Sequence, residues 1–159
     1  MHILNSTHWG NVGLVICGVA RQAHYREAIN RFQHRCAMVN VHFPGAVTNQ
    51  QLATYLRGAR AYLGMSDHEG LCIPPIEAMS LGIPVVIKGA GAVPETVGDG
   101  ALVLPEESGP IIASEAIHEV LTNNELRWGL ISAGYQRVEE LESRNSSIHT
   151  ADLLRTAAR

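Results

Sequence analysis

Short runs of aliphatic and β-branched residues alternate along this chain with longer stretches in which apolar positions recur every three or four residues. Leu14-Val15-Ile16-Cys17, ended by Gly18, reads as a first strand. Residues 22–36 have helical length, with Ala28, Ile29 and Phe32 on one side. A second strand is expected over residues 38–43, closed by the turn dipeptide Pro44-Gly45. Thr48 and Gln51 have the spacing of a capping box and open a helix carrying Leu52, Tyr55 and Leu56. Ala61-Tyr62-Leu63 is the third strand, Pro74-Pro75 opens a helix that Gly82 closes, and residues 83–87 and 101–104 are the fourth and fifth strands. From Ile111 to Ala158 the period is helical, with breaks expected at Asn123-Asn124 and Arg144-Asn145.

Alternation of short apolar strands with amphipathic helices predicts an α/β fold, a Rossmann-like doubly wound parallel sheet covered on both faces, followed by C-terminal helices. Ligands of such sheets sit at the carboxyl ends of the strands, so the informative loops are those after Val19, Phe43, Gly64, Ile87 and Leu104.

Composition narrows the partners. At 159 residues the chain is long enough for one domain with its own core and short for two. Hydrophobic residues make up 46% and charged ones 17%, too apolar a mixture for a disordered chain. The net charge is −3, and eleven Arg stand against a single Lys, Lys88, with no basic block, which argues against a nucleic-acid partner. Apolar runs such as Gly13 to Ala20 fall far short of the roughly 20 residues of a membrane span. No charged leader precedes one, so a soluble, cytoplasmic protein is expected. Cys17, Cys36 and Cys72 are odd in number and widely spaced, which suits a reducing compartment better than a disulfide framework. The eight His form no HExxH or HxH arrangement, and with Asp only at 67, 99 and 152 there is no DxD motif, so no metal and no other cofactor is expected.

The loop after the third strand holds the densest chemistry: Ser66-Asp67-His68-Glu69-Gly70-Leu71-Cys72-Ile73-Pro74-Pro75-Ile76-Glu77. A proline at the start of a helix loses an N–H that had no partner there, while the amides of Gly70 through Ile73 and the helix dipole favour an anion such as phosphate. Glu77, expected in the first turn, would face neutral hydroxyls such as a ribose diol, because two carboxylates and a phosphate repel one another.

Glu69 and Glu77 lie eight apart, and the block "SDHEGLCIPPIEAMSLGIPVVIKGAGAVPETVGDGALVL" resembles the donor-sugar half of retaining GT-B glycosyltransferases of family four, also described as glycosyl transferases group 1. It is the subgroup in which His precedes the first Glu and Cys replaces the second Gly. Upstream, "VHFPGAVTNQQLATYLRGARAYL" is similar to the family's strand, nucleobase loop and helix. The resemblance covers residues 12 to 142 and implies one nucleotide-sugar-binding domain over 1–159, with a core of about 12–142 and a C-terminal helix over 143–159.

It further implies roles by position. Glu69 is the catalytic carboxylate, supporting the transferred sugar; Gly70, Leu71, Cys72 and Ile73 hold sugar and diphosphate; Glu77 grips the ribose; and Gly45, Val47 and Thr48 line the base. The family moves a hexose from a nucleoside diphosphate sugar to an acceptor hydroxyl with retention, through an oxocarbenium-like state. The implied partners are the nucleotide-sugar donor and an N-terminal acceptor domain that this sequence lacks, so the piece alone is expected to be inactive, and the full-length enzyme peripheral to a membrane. The family's Arg and Lys from a glycine-rich loop after the domain's first strand have no counterpart, the sequence beginning in what resembles the following helix. Leu71 stands where Phe is common, and Lys88, after the fourth strand, is not assigned to phosphate, so weakened diphosphate affinity is expected.

Blander readings compete. Glu77 can serve the helix dipole, His68 and Cys72 can be packing residues, and the Arg residues of the C-terminal helices can form a solvated face. Ser66-Asp67-His68 is no hydrolase triad, since consecutive residues do not reach one another in series. Pro94 breaks any GxGxxG reading of Gly89 and Gly91, and Pro94-Glu95 is expected to close a turn. The rival to a donor domain is a non-catalytic partner or assembly module that needs another chain to complete its cleft, or that self-associates through an open sheet edge.

Overall fold

A computed structural model describes residues 12–18, 23–35, 40–68 and 72–144. The elements are β1 (Leu14–Cys17), α1 (Ala23–Arg35), β2 (Val41–Gly45), α2 (Asn49–Gly58), β3 (Tyr62–Gly64), α3 (Ile73–Ser80), β4 (Val85–Lys88), α4 (Val93–Val97), a 3-10 turn (Gly98–Gly100), β5 (Ala101–Leu104), α5 (Pro110–Thr122) and α6 (Asn124–Arg144). The expected alternation is present, and every strand pairing is parallel. The chain divides into two compact units, Met1–Tyr55 and Leu56–Arg159.

In the first unit β1 pairs with β2, Leu14 opposite Val41 and Cys17 opposite Gly45. The strand runs through Pro44 to Gly45 rather than stopping before a Pro-Gly turn; Gly45 then takes a φ of 80°, which glycine adopts without a Cβ clash, and its carbonyl accepts from the Gly18 amide at 3.0 Å. A two-stranded sheet offers a helix little surface. On α1, accordingly, Ile29 is half-buried while Phe32, expected on the inner face, is 57% exposed. Gln33 Nε2 donates to the Val41 carbonyl at 2.9 Å, tying α1 to β2.

The second unit is built on β4, which lies between β3 and β5. A strand with neighbours on both edges and cover on both faces reads as an unbroken apolar run, and all four residues of Val85–Lys88 are buried, its lysine included. Val85 faces Tyr62 on one side and Ala101 on the other. The core around it is supplied by Ile76, Ala78 and Met79 of α3, Val93 and Val97 of α4, Ile117 and Val120 of α5, and Val138 of α6. Small residues let α3 and α6 approach closely: a Cβ on Gly134 would lie 3.2 Å from Met79 Cγ. The turn after α3 needs Gly82, whose φ is 71° and whose missing Cβ would fall 2.3 Å from the Tyr135 hydroxyl.

Asn123 separates α5 from α6: the Asn123 Oδ1 accepts from the Leu126 amide at 3.1 Å, so the expected break is also the next helix's cap. Pro94 and Glu95, expected in a turn, lie inside the short helix α4, with Pro at its start. The helical expectation beyond Arg144 falls outside the described residues. No described helix is long and apolar enough to cross a membrane.

Candidate functional site

In the first unit the carboxyl end of β2 leads into Gly45, Val47 and Thr48. The capping box is formed as spaced: the Thr48 amide donates to Gln51 Oε1 at 2.9 Å, and the Gln51 amide donates to Thr48 Oγ1 at 3.2 Å. Thr48's hydroxyl is therefore committed to the helix start, and Gly45 and Val47, both half-buried, present mainly backbone.

In the second unit the corresponding mouth lies where β3 and β4 end and α3 begins. Of the residues expected there, Glu69, Gly70 and Leu71 lie outside the described residues. Cys72 is the N-cap of α3, in extended backbone conformation and buried, and Ile73 is its first residue, followed by Pro74 and Pro75. With Ile73 as the first helical position, Glu77 falls in the second turn, not the first, and no acid occupies the first turn. The reading of Glu77 as a dipole-stabilising residue loses force, because that effect fades beyond the first turn.

Glu77 is only 9% exposed. Burial pushes its carboxyl above the ordinary value of 4.5, and no described group donates a hydrogen bond to it. A largely buried carboxyl with no donor among the described residues gives up part of its hydration, which a ligand that supplies donors would replace. Hydroxyl groups are suited to that task, since they donate to the oxygens without adding charge.

The composition-based view of Lys88 misses its partner. Lys88 ends β4, and its ammonium donates to Asp67 Oδ1 in the loop after β3. The lysine side chain is 8% exposed and that of Asp67 94%. The hydrogen bond and the positive charge hold the Asp67 carboxyl below its ordinary range. Asp67 thus faces Lys88, and the exposed Ser66 and His68 flank it on the loop. The signal available in sequence was the lone Lys ending a wholly apolar strand, where an ammonium needs a counter-charge.

Arg137 corrects the expectation of a solvated cationic face on α6. Its Nε donates to the Thr96 carbonyl at 3.1 Å and its Nη2 to the Glu95 carbonyl at 2.6 Å, while Nη1 meets Glu140 Oε2 at 2.7 Å. It closes the carboxyl end of α4. Among the described residues no three His, Cys, Asp or Glu side chains gather as a metal-binding group.

The family model described as glycosyl transferases group 1 matches residues 1–137. O-antigen chain mannosyltransferase B of Escherichia coli is 38% identical over 63 residues, which make up 40% of this chain and 16% of that protein. The human alpha-1,3/1,6-mannosyltransferase is 26% identical over 143 residues, 86% of this chain and 34% of that protein. This chain therefore spans about a third or less of the length of these relatives. Among solved structures, the C-terminal domain of a glycosyl transferase group 1 family protein from Francisella tularensis superposes with a TM-score of 0.73 at 20% identity, covering 87% of this chain and 73% of that one. That likeness concerns the fold, and it agrees with the α/β architecture expected from the hydrophobic pattern.

Proposed function

We propose, given that the chain belongs to the glycosyl transferases group 1 family, that it forms the donor-binding part of a retaining hexosyltransferase and takes up a nucleoside diphosphate sugar. The observation that carries this reading is Glu77: a buried carboxyl with a raised pKa and no described partner, on a helix opened by two prolines. A ribose diol supplies the hydroxyl donors that such a group lacks. The backbone at Gly70, Leu71, Cys72 and Ile73 takes the diphosphate at the positive end of α3, and Gly45, Val47 and Thr48 border the base. The relatives' names make mannose the first sugar to test.

In the reaction the acceptor hydroxyl attacks the anomeric carbon on the face from which the diphosphate departs. The bond from that carbon to the phosphate oxygen breaks, and the hydroxyl proton passes to the departing oxygen. Glu69 supports the positive charge that develops on the sugar, and no covalent enzyme intermediate forms. Charge on the diphosphate is offset by the helix end and not by a divalent cation, and turnover awaits the acceptor-binding part of a longer enzyme. Amide NMR of the chain titrated with UDP, GDP, ADP, UDP-glucose and GDP-mannose tests the reading. Shifts are expected at Gly45 to Thr48 and from Cys72 to Glu77 with one of these ligands; if both stretches stay unmoved at saturating concentrations of all five, the donor site is not here.

A further inference from the structure

At the carboxyl ends of β3, β4 and β5, residues 64–68, 88–92 and 104–109 carry three acids, Asp67, Glu106 and Glu107, but a single Lys or Arg, Lys88. The end of a parallel sheet that takes ligands thus has one permanently cationic side chain on these segments with which to meet an anion. Lys88 is held in place: it stands opposite Leu104 of β5, and the next amide, that of Gly89, donates to the Leu104 carbonyl at 2.9 Å. Its side chain is 8% exposed, whereas that of its partner Asp67 is 94% exposed. A sheltered ammonium has given up much of its hydration and depends on a counter-charge, while a solvated carboxylate loses little when it turns into water. The pair therefore opens from one side. Asp67 can leave, and Lys88 then calls for another anion in the same place. A phosphate group suits that place better than a carboxylate, because it brings more negative charge and more acceptor oxygens to the ammonium. The two anions do not share it, since like charges at contact distance repel.

We propose that Lys88 is the cation that receives a phosphate group of the donor, and that Asp67 is its counter-ion in the empty site, displaced as the donor binds. This rests on the donor-site reading above and adds a side-chain charge to it. The exchange makes Asp67 a competitor of the ligand, so the two members of the pair act on affinity in opposite directions: loss of Lys88 weakens the phosphate contact, and loss of the Asp67 charge strengthens it. A pair that only held the fold together would act in one direction, whichever member were removed.

The test is calorimetric titration of the full chain with UDP, GDP and ADP, and with the nucleoside that matches the tightest of them. Lys88→Met keeps an unbranched side chain in the buried strand; it should bind the nucleoside diphosphate about tenfold more weakly, the loss of a hydrogen bond between charged groups, and change the nucleoside less than about twofold. Asp67→Asn alters an exposed side chain and should bind the nucleoside diphosphate about threefold more tightly, the competition that a solvated partner can offer, with the nucleoside again changed less than about twofold. Lys88→Met with Asp67→Asn should bind no more tightly than Lys88→Met alone, because no ammonium is left to set free. Unchanged or weakened nucleoside diphosphate affinity in Asp67→Asn overturns the inference, and so does a loss in Lys88→Met that the nucleoside shares equally. Should Lys88→Met not fold, Asp67→Asn and Asp67→Ala decide the matter by the sign of their effect. If none of the three diphosphates binds the unaltered chain or Asp67→Asn, the donor-site reading falls and this inference with it; binding to the unaltered chain without tightening in Asp67→Asn sinks this inference alone.

Discussion

Glu77 is held in the fold at a cost, and the cost has a sign that pH reveals. Its carboxyl is raised above 4.5 by burial, so below that pH both folded and unfolded chains carry the proton and the residue is neutral in its effect. As pH rises from 4.5 through the folded value, the unfolded chain releases the proton first, and the folded state becomes relatively less stable. Glu77→Gln is expected to match the unaltered chain in Tm at pH 4 and to equal or exceed it by about 1–3 °C at pH 7. The same variant should bind the nucleotide about 10- to 100-fold more weakly, the loss of hydrogen bonds to a charged acceptor. A lower Tm at pH 7 would show that Glu77 serves stability after all. Asp67 has the opposite sign: its pKa is depressed by Lys88, so what it contributes is present above pH 3.8 and is lost as pH falls through its folded value. Thr48 with Gln51 was legible in sequence because a capping box is local, four residues long and chemically specific. Asp67 with Lys88 was not, because twenty-one positions separate them and only the pairing of β3 with β4 brings their strand ends together.

At the level of elements, the strands at 14–17 and 101–104 were legible to the residue, since a short apolar run ended by Gly or Pro leaves little choice of boundary. Pro94-Glu95 was misread because proline serves a turn and a helix start equally well, and only Arg137, forty-one positions away from Thr96, shows which one forms. Glu77 was misread by a turn because Ile73, not a proline, is the first helical residue. Arg137 ties α6 to α4 through two backbone carbonyls with its side chain largely buried. Arg137→Ala is expected to cost about 2–3 kcal/mol in urea unfolding, two charge-assisted bonds partly replaced by water. Glu140→Ala, which removes only the exposed partner on the same helix, should cost less than about 0.5 kcal/mol. Equal losses in the two variants would mean that the helix pair and not the carbonyl contacts carries Arg137's contribution.

Across the whole molecule burial is uneven. In the first unit β1 leaves Val15 and Ile16 exposed, at 44% and 41%, whereas in the second unit no residue of β4 is exposed. Amide exchange should follow this division: Val86 and Ile87 are expected to exchange only through global opening, and β1 amides through smaller openings. Comparable rates in β1 and β4 would show the two units to unfold together. Lys88 sits on the strand expected to open last. Its backbone is therefore held for as long as the second unit stays folded, whereas the exposed Asp67 can part from it without any strand opening. Warming the chain should accordingly weaken nucleotide affinity in an early step, as the unit that carries residues 45–48 opens, before the transition that dissolves β4.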